Sequence, residues 1–124
     1  PRANELLQSV IDFLREQVMH ETTGRTQFLS RVASNSLDIV QREMALGEAA
    51  AHHECSGLQT LLNSSDEDLI ELRWQLVRGL RDKRIALDAP GLATHLRECV
   101  ANQINIDQPG YPGLLTALRG GEGV

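Results

Sequence analysis

At 124 residues the chain has room for one compact domain, large enough to bury most of the surface its unfolded form exposes. Hydrophobic residues make up 41% and aromatic residues only 3%, so Leu, Ile, Val and Ala must build the core, which favours packed helices over a sandwich or barrel. The formal net charge of -5 offers no basic field to a phosphate backbone, and no apolar run nears the roughly 18 residues of a membrane span, which sets aside nucleic acid and membrane as partners.

The first predicted helix covers residues 4 to 19, with Leu6, Leu7, Val10, Ile11, Phe13, Leu14 and Val18 on one face and Asp12, Arg15 and Glu16 opposite. His20 to Gly24 interrupts the pattern, and Thr22 or Thr23 can cap the next helix. On that second helix Phe28, Leu29, Val32, Ala33, Leu37, Ile39, Val40, Met44 and Leu46 fill one broad apolar arc at about 100° per residue, and Gly47 is the expected stop. Residues 48 to 62 read as a weaker third helix, favoured by Ala49 to Ala51, interrupted at Gly57 and anchored by Leu58, Leu61 and Leu62.

Asn63-Ser64-Ser65-Asp66 is a turn, and Ser65 with Asp68 resembles a capping box in which Asp replaces the usual Glu or Gln. The fourth helix is expected over 66 to 83, turning Leu69, Ile70, Leu72, Leu76, Val77 and Leu80 inward, with Trp74 at the edge and Gly79 marking a close approach. Asp88-Ala89-Pro90 supplies a cap and a helix-starting proline for the fifth helix, which runs to about Ile106 and buries Leu92, Leu96, Cys99, Val100 and Ile104. Gln108 to Gly113 ends regular structure, Leu114 to Leu118 can add a short turn, and Gly120 to Val124 reads as a frayed tail. The expected architecture is an all-α, single-domain bundle of about five mostly antiparallel amphipathic helices over residues 1–112, followed by a partly flexible tail over 113–124.

One residue disturbs the apolar arc of the second helix. Glu43 falls inside it, and an ionised carboxylate on a core-facing stripe is costly unless paired. Arg73 and Arg84, eleven residues apart and within the arc of the fourth helix, are the candidate partners, and the expected structural ion pair joins Glu43 to Arg73 with Ser36 nearby. A perturbed carboxylate of this kind can also be a catalytic acid or base. On the other side of the second helix Arg31, Asn35, Asp38 and Arg42 recur at steps of four, three and four. This polar strip can grip an anionic ligand or a partner through planar guanidinium donors, or be a solvated face in which Asp38 pairs with Arg31 or Arg42.

His52, His53 and Cys55, with His95 and Cys99 one turn apart, invite a metal reading, but no CxxC or HExxH spacing is present and no metal is assigned. Two cysteines are too few for a disulfide scaffold. There is no GxSxG nucleophile elbow, and Gly120-Gly121-Glu122-Gly123 lacks the following helix that a phosphate loop needs, so neither catalytic residues nor a cofactor are assigned. Gln103, within the arc of the fifth helix, is expected to be a satisfied buried amide.

The run from Phe28 through Arg31-Val32-Ala33-Ser34-Asn35-Ser36-Leu37 to Arg42-Glu43-Met44-Ala45-Leu46-Gly47 resembles a small bacterial domain family of unknown function. Supporting matches are Leu6-Leu7 with Phe13-Leu14 near the start, and Leu96-Arg97, Ile106-Asp107-Gln108-Pro109 and Tyr111 near the end, over residues 3 to 112. The resemblance implies a helical domain whose genes lie beside those for acyl-CoA dehydrogenases and kinases similar to aminoglycoside phosphotransferases. It implies an accessory role in that catabolism and carries Arg31, Asn35, Arg42 and Glu43 as motif residues without assigned roles. Gly110, between Pro109 and Tyr111, is an added residue relative to the family's usual ending.

The resulting expectation is a non-enzymatic accessory or interaction module in the cytoplasm, since the N-terminus lacks the regions of a secretory signal. Its partner is expected to be another cytoplasmic protein, with homo-oligomerisation also open. The alternative is a small-ligand-binding protein or enzyme with an inter-helix polar pocket around Glu43, Arg73, Arg31 and Arg42.

Overall fold

The computed structural model describes residues 2–119, which form five helices and no strand. The all-α expectation therefore holds over the described residues, and the tail expected at Gly120 to Val124 lies outside them. Helix α1 is continuous but not uniform: an α-helix at Ala3–Phe13 passes through a π-helical stretch at Leu14–Val18 and closes with an α turn at Met19–Glu21. Its start is tied down by the Arg2 backbone N–H donating to Glu5 Oε2 at 3.0 Å.

Helix α2 runs unbroken over Gly24–Leu62, so the second and third predicted helices are one. Gly47 was the expected stop because glycine favours the position after a helix, but a mid-helix glycine costs only about 1 kcal/mol against alanine. The strong helix formers on either side, Met44-Ala45-Leu46 and Glu48-Ala49-Ala50-Ala51, outweigh that cost. The helix ends instead at Asn63, whose φ of 49° is the left-handed turn that closes many helices, with Ser64 N–H donating to Gln59 C=O at 3.0 Å.

Helix α3 spans Leu69–Arg81 and starts three residues later than expected. Its cap is Asp68 rather than Ser65: the Asp68 carboxylate accepts from the N–H groups of Ile70 and Glu71. Helix α4 covers Leu92–Asp107 and begins after Gly91, whose φ of 84° makes the turn, rather than at Pro90. Helix α5 is the short turn Leu114–Leu118. No helix of the described residues is long and apolar enough to cross a membrane.

The chain falls into two compact units, residues 1–45 and residues 46–124, and α2 contributes to both. In the first, α1 lies antiparallel to the leading half of α2. Gln41 Nε2 donates to Asn4 C=O at 3.2 Å and to Gln8 Oε1 at 3.3 Å, and Gln27 Nε2 reaches Met19 C=O at 2.9 Å near the hairpin turn. The α2 face turned toward α1 is mostly polar, with Leu37 as its half-buried apolar member. Ser30 and Ser34 are buried, and each satisfies its hydroxyl within the helix, donating to Thr26 C=O and Arg31 C=O respectively at 2.8 Å. From α1 only Ile11 is fully buried, while Leu7, Leu14 and Val18 are half-buried. Leu6, Val10 and Phe13, expected inward, stand exposed.

The second unit has a conventional core. Leu58 of α2, Leu72 and Leu76 of α3 and Leu92 of α4 are buried together, with Cys55, Leu61, Leu62, Leu69, Leu80, Ile85 and Ala89 packed around them. Gly79 is the close approach the sequence suggested: a Cβ there would stand 2.5 Å from Ile85 Cδ1, so the loop returning from α3 lies directly on the helix. The expected inward set is trimmed on both helices, since Ile70 is 66% exposed, Leu96 45% and Val100 55%. Gln103 is exposed as well, and donates to Asp107 Oδ1 at 3.0 Å rather than being a buried amide.

Candidate functional site

In the first unit the polar strip of α2 is engaged by a residue from α1. Arg15 donates to both carboxylate oxygens of Asp38 and, at 3.2 Å, to Asn35 Oδ1. Asp38, expected to pair with Arg31 or Arg42, is held by Arg15 in a clasp across the hairpin. Arg15 was assigned to the solvent face of α1, yet it lies four residues beyond Ile11 and so shares Ile11's side, which is the signal that identifies it. Arg31 is exposed and Arg42 half-buried. The strip contributes a hairpin fastening, with Arg31 at its outer edge.

The same unit holds the stripe that was expected to be core. Phe28 is 61% exposed and Met44 52%, and Leu29, Val32, Ile39 and Val40 are also exposed. Glu43 stands among them, exposed. Arg73, its expected partner, gives its guanidinium to Glu54 through Nε–Oε2 and Nη2–Oε1 contacts of 2.7 Å each. Arg84 is likewise committed, donating to Asp82 Oδ2 at 3.2 Å. The carboxylate was awkward only on the assumption that its stripe faces a core. Counted at 100° per residue from the inward Ser34 and Ile11, Val40 and Met44 of α2 turn to the same side of the hairpin as Leu6 and Val10 of α1.

The second unit gathers most of the remaining chemistry-bearing side chains. The buried His95 ring lies against Gly57, where a Cβ would stand only 2.2 Å from His95 Nδ1, so the glycine that was expected to break a helix makes room for an imidazole. Cys99, one turn on, has its Sγ 3.5 Å from His95 Nε2. Burial holds the His95 pKa below its ordinary value, with Glu54 pulling the other way, while burial, Glu54 and Glu98 push the Cys99 thiol up. Both shifts favour neutral partners.

His53 Nε2 meets Glu98 Oε2 at 2.8 Å, and this pair borders an open groove of about 400 Å3. Leu46, Ala49, Ala50 and Ala101 supply its apolar lining, and Thr94, Arg97, Asn102 and Asn105 its polar lining. The inter-helix pocket expected around Glu43, Arg73, Arg31 and Arg42 is not this groove, which none of the four lines. His52 is exposed and Cys55 packs into the leucine core. Among the described residues no three His, Cys, Asp or Glu side chains converge as a metal site.

Comparison with known proteins gives one family match, to a domain of unknown function, over residues 20–111, which takes in α2, α3 and α4 and leaves most of α1 outside. No curated protein and no solved structure matches the chain.

Proposed function

The chain belongs to the family described as Domain of unknown function (DUF6285), and we propose that it works as a non-enzymatic helical interaction module whose docking surface is the apolar face of residues 6–46. The observation that carries this reading is the burial pattern. Nine large apolar side chains of the first unit, Leu6, Val10, Phe13, Phe28, Leu29, Val32, Ile39, Val40 and Met44, are between 36% and 61% exposed. On α2, Leu29, Val32 and Ile39 turn away from the buried Ser34, with Phe28 and Val40 beside them, so the outward side of the helix is apolar over several turns. A monomer ordinarily keeps its contiguous exposed apolar patches small.

The partner is a protein that presents an apolar helical surface. The family resemblance nominates an acyl-CoA dehydrogenase or a phosphotransferase-like kinase as an additional partner, placing the module as an accessory to that catabolism. The test is affinity capture from the native host with three forms of the chain: wild type, Val32→Glu/Ile39→Glu, and Arg31→Ala/Arg42→Ala. Loss of the captured protein with the first double variant and its retention with the second is the expected result. Retention with both would remove the apolar face from the account. The second reading, a small-ligand protein, is favoured by the groove beside His53 and Glu98. It predicts a ligand-induced rise in melting temperature that Asn102→Leu abolishes.

A further inference from the structure

The exposed stripe of α2 has a pattern that specifies what covers it. Arg25, Leu29, Val32, Ser36, Ile39 and Glu43 follow one another at steps of four, three, four, three and four, the alternation of a coiled-coil seam, and all six are exposed. Phe28 and Val40 flank the seam on either side. Its two charged members are of opposite sign and lie near its two ends. Positions 25 and 43, 29 and 39, and 32 and 36 are each symmetric about residue 34.

We propose that a second copy of this chain covers the stripe, with α2 packed antiparallel on the partner's α2 about a two-fold axis level with residue 34. That register sets Arg25 against the partner's Glu43, Leu29 against the partner's Ile39 and Val32 against the partner's Ser36, and the two-fold repeats each contact. Slipping by one heptad in either direction breaks it: one slip places Glu43 on the partner's Val32, and the other places Arg25 on the partner's Ser36. Only the central register closes both charges and stacks the aliphatic side chains. Arg25 also sits in the first turn of α2, where the positive end of the helix dipole repels it, and an opposing carboxylate relieves that repulsion. The small Ser36 beside Val32 lets the two backbones come close at the centre. Glu43 thereby acquires a charged partner on the second copy.

This inference rests on reading residues 6–46 as an interaction surface and names one occupant of it. The test uses Arg25→Glu and Glu43→Arg, examined singly and mixed, by sedimentation velocity over a concentration series, with circular dichroism to confirm that each remains helical. Each variant alone places like charges across the seam twice and weakens self-association ~tenfold or more. Mixed in equal amounts, the two are complementary at both ends, and a heterodimer forms with affinity near that of the wild type. A wild-type chain that stays monomeric up to about 1 mM overturns the proposal. So do single variants that dimerise undiminished, or a mixture that fails to recover. The broader reading fails separately: if the wild type is monomeric yet captures another protein through Val32 and Ile39, the second copy is excluded and the interaction surface stands, whereas loss of both removes both.

Discussion

Residues up to 45 and residues beyond it draw on one continuous helix and put it to different uses. In the second unit α2 gives Leu58 to a closed leucine core shared with Leu72, Leu76 and Leu92. In the first it gives α1 its serines and glutamines with Leu37 and leaves Phe28, Leu29, Val32, Ile39, Val40 and Met44 outside. The hydrophobic effect drives both halves, but only the second gathers a cluster of buried leucines, even though Ile70, Trp74, Leu87, Leu96 and Val100 stay exposed there. The lesson is that an amphipathic pattern says which face wants to be buried and not by what. Where the inward face is made of Ser30 and Ser34, the apolar face is left for another surface.

The largest expected contrast is between core and stripe. Leu72→Ala opens a cavity in the second unit and costs ~2–5 kcal/mol by denaturant unfolding, whereas Val32→Ala changes the stability of the dilute monomer by no more than about 0.5 kcal/mol. Equal costs would mean that the stripe is covered within one chain. Next in size, Gly57→Ala forces the buried His95 ring to move and costs ~1–3 kcal/mol. Adding His95→Ala makes the glycine substitution close to neutral in a double-mutant cycle, and a cycle that stays additive would deny the contact.

Acid sharpens the same comparison. Because the His95 pKa is lowered on folding, the unfolded chain binds the extra proton first. Stability is therefore complete above the ordinary value of 6.5 and falls as pH drops through it toward the lower folded value. Cys99 works at the other end: its raised pKa means that the unfolded thiol ionises first, so stability declines as pH climbs past 9.0. Melting temperatures recorded from pH 5 to 10 should show a plateau near neutrality, with the acid slope reduced in His95→Gln. An unchanged acid slope in that variant would assign the loss to other groups. The smallest effect belongs to the hairpin clasp. Arg15→Ala removes a partly exposed contact worth at most ~1 kcal/mol, detectable as faster amide exchange in α1 with little change in the second unit.

Much of the helical framework is legible in the sequence because it follows from period and capping: α3, α4 and the turn at Asn63 all carry local signals. The continuity of α2 is not, because Gly47 and Gly57 have the same chemistry whether a helix ends or merely tolerates them, and the outcome depends on their neighbours. Glu43 is the clearest case of a correct observation with the wrong premise. Its place in the apolar arc is visible in the residue order, but the arc's exposure depends on the two serines that face α1, which no hydrophobicity count rewards. Arg15, Glu54 and the seat of His95 on Gly57 are tertiary meetings between residues 19 to 38 positions apart, and the sequence offers at most the i+4 relation of Ile11 and Arg15. The stepwise seam from Arg25 to Glu43 was available throughout, but only exposure gives it meaning.

The most direct test of the central claim is sedimentation equilibrium of the wild-type chain across a concentration series, read beside Val32→Glu. The account predicts a mass that rises from one chain toward two in the wild type and stays at one chain in the variant. A wild-type mass of one chain at every concentration, with no other protein captured through Val32 and Ile39, would contradict it.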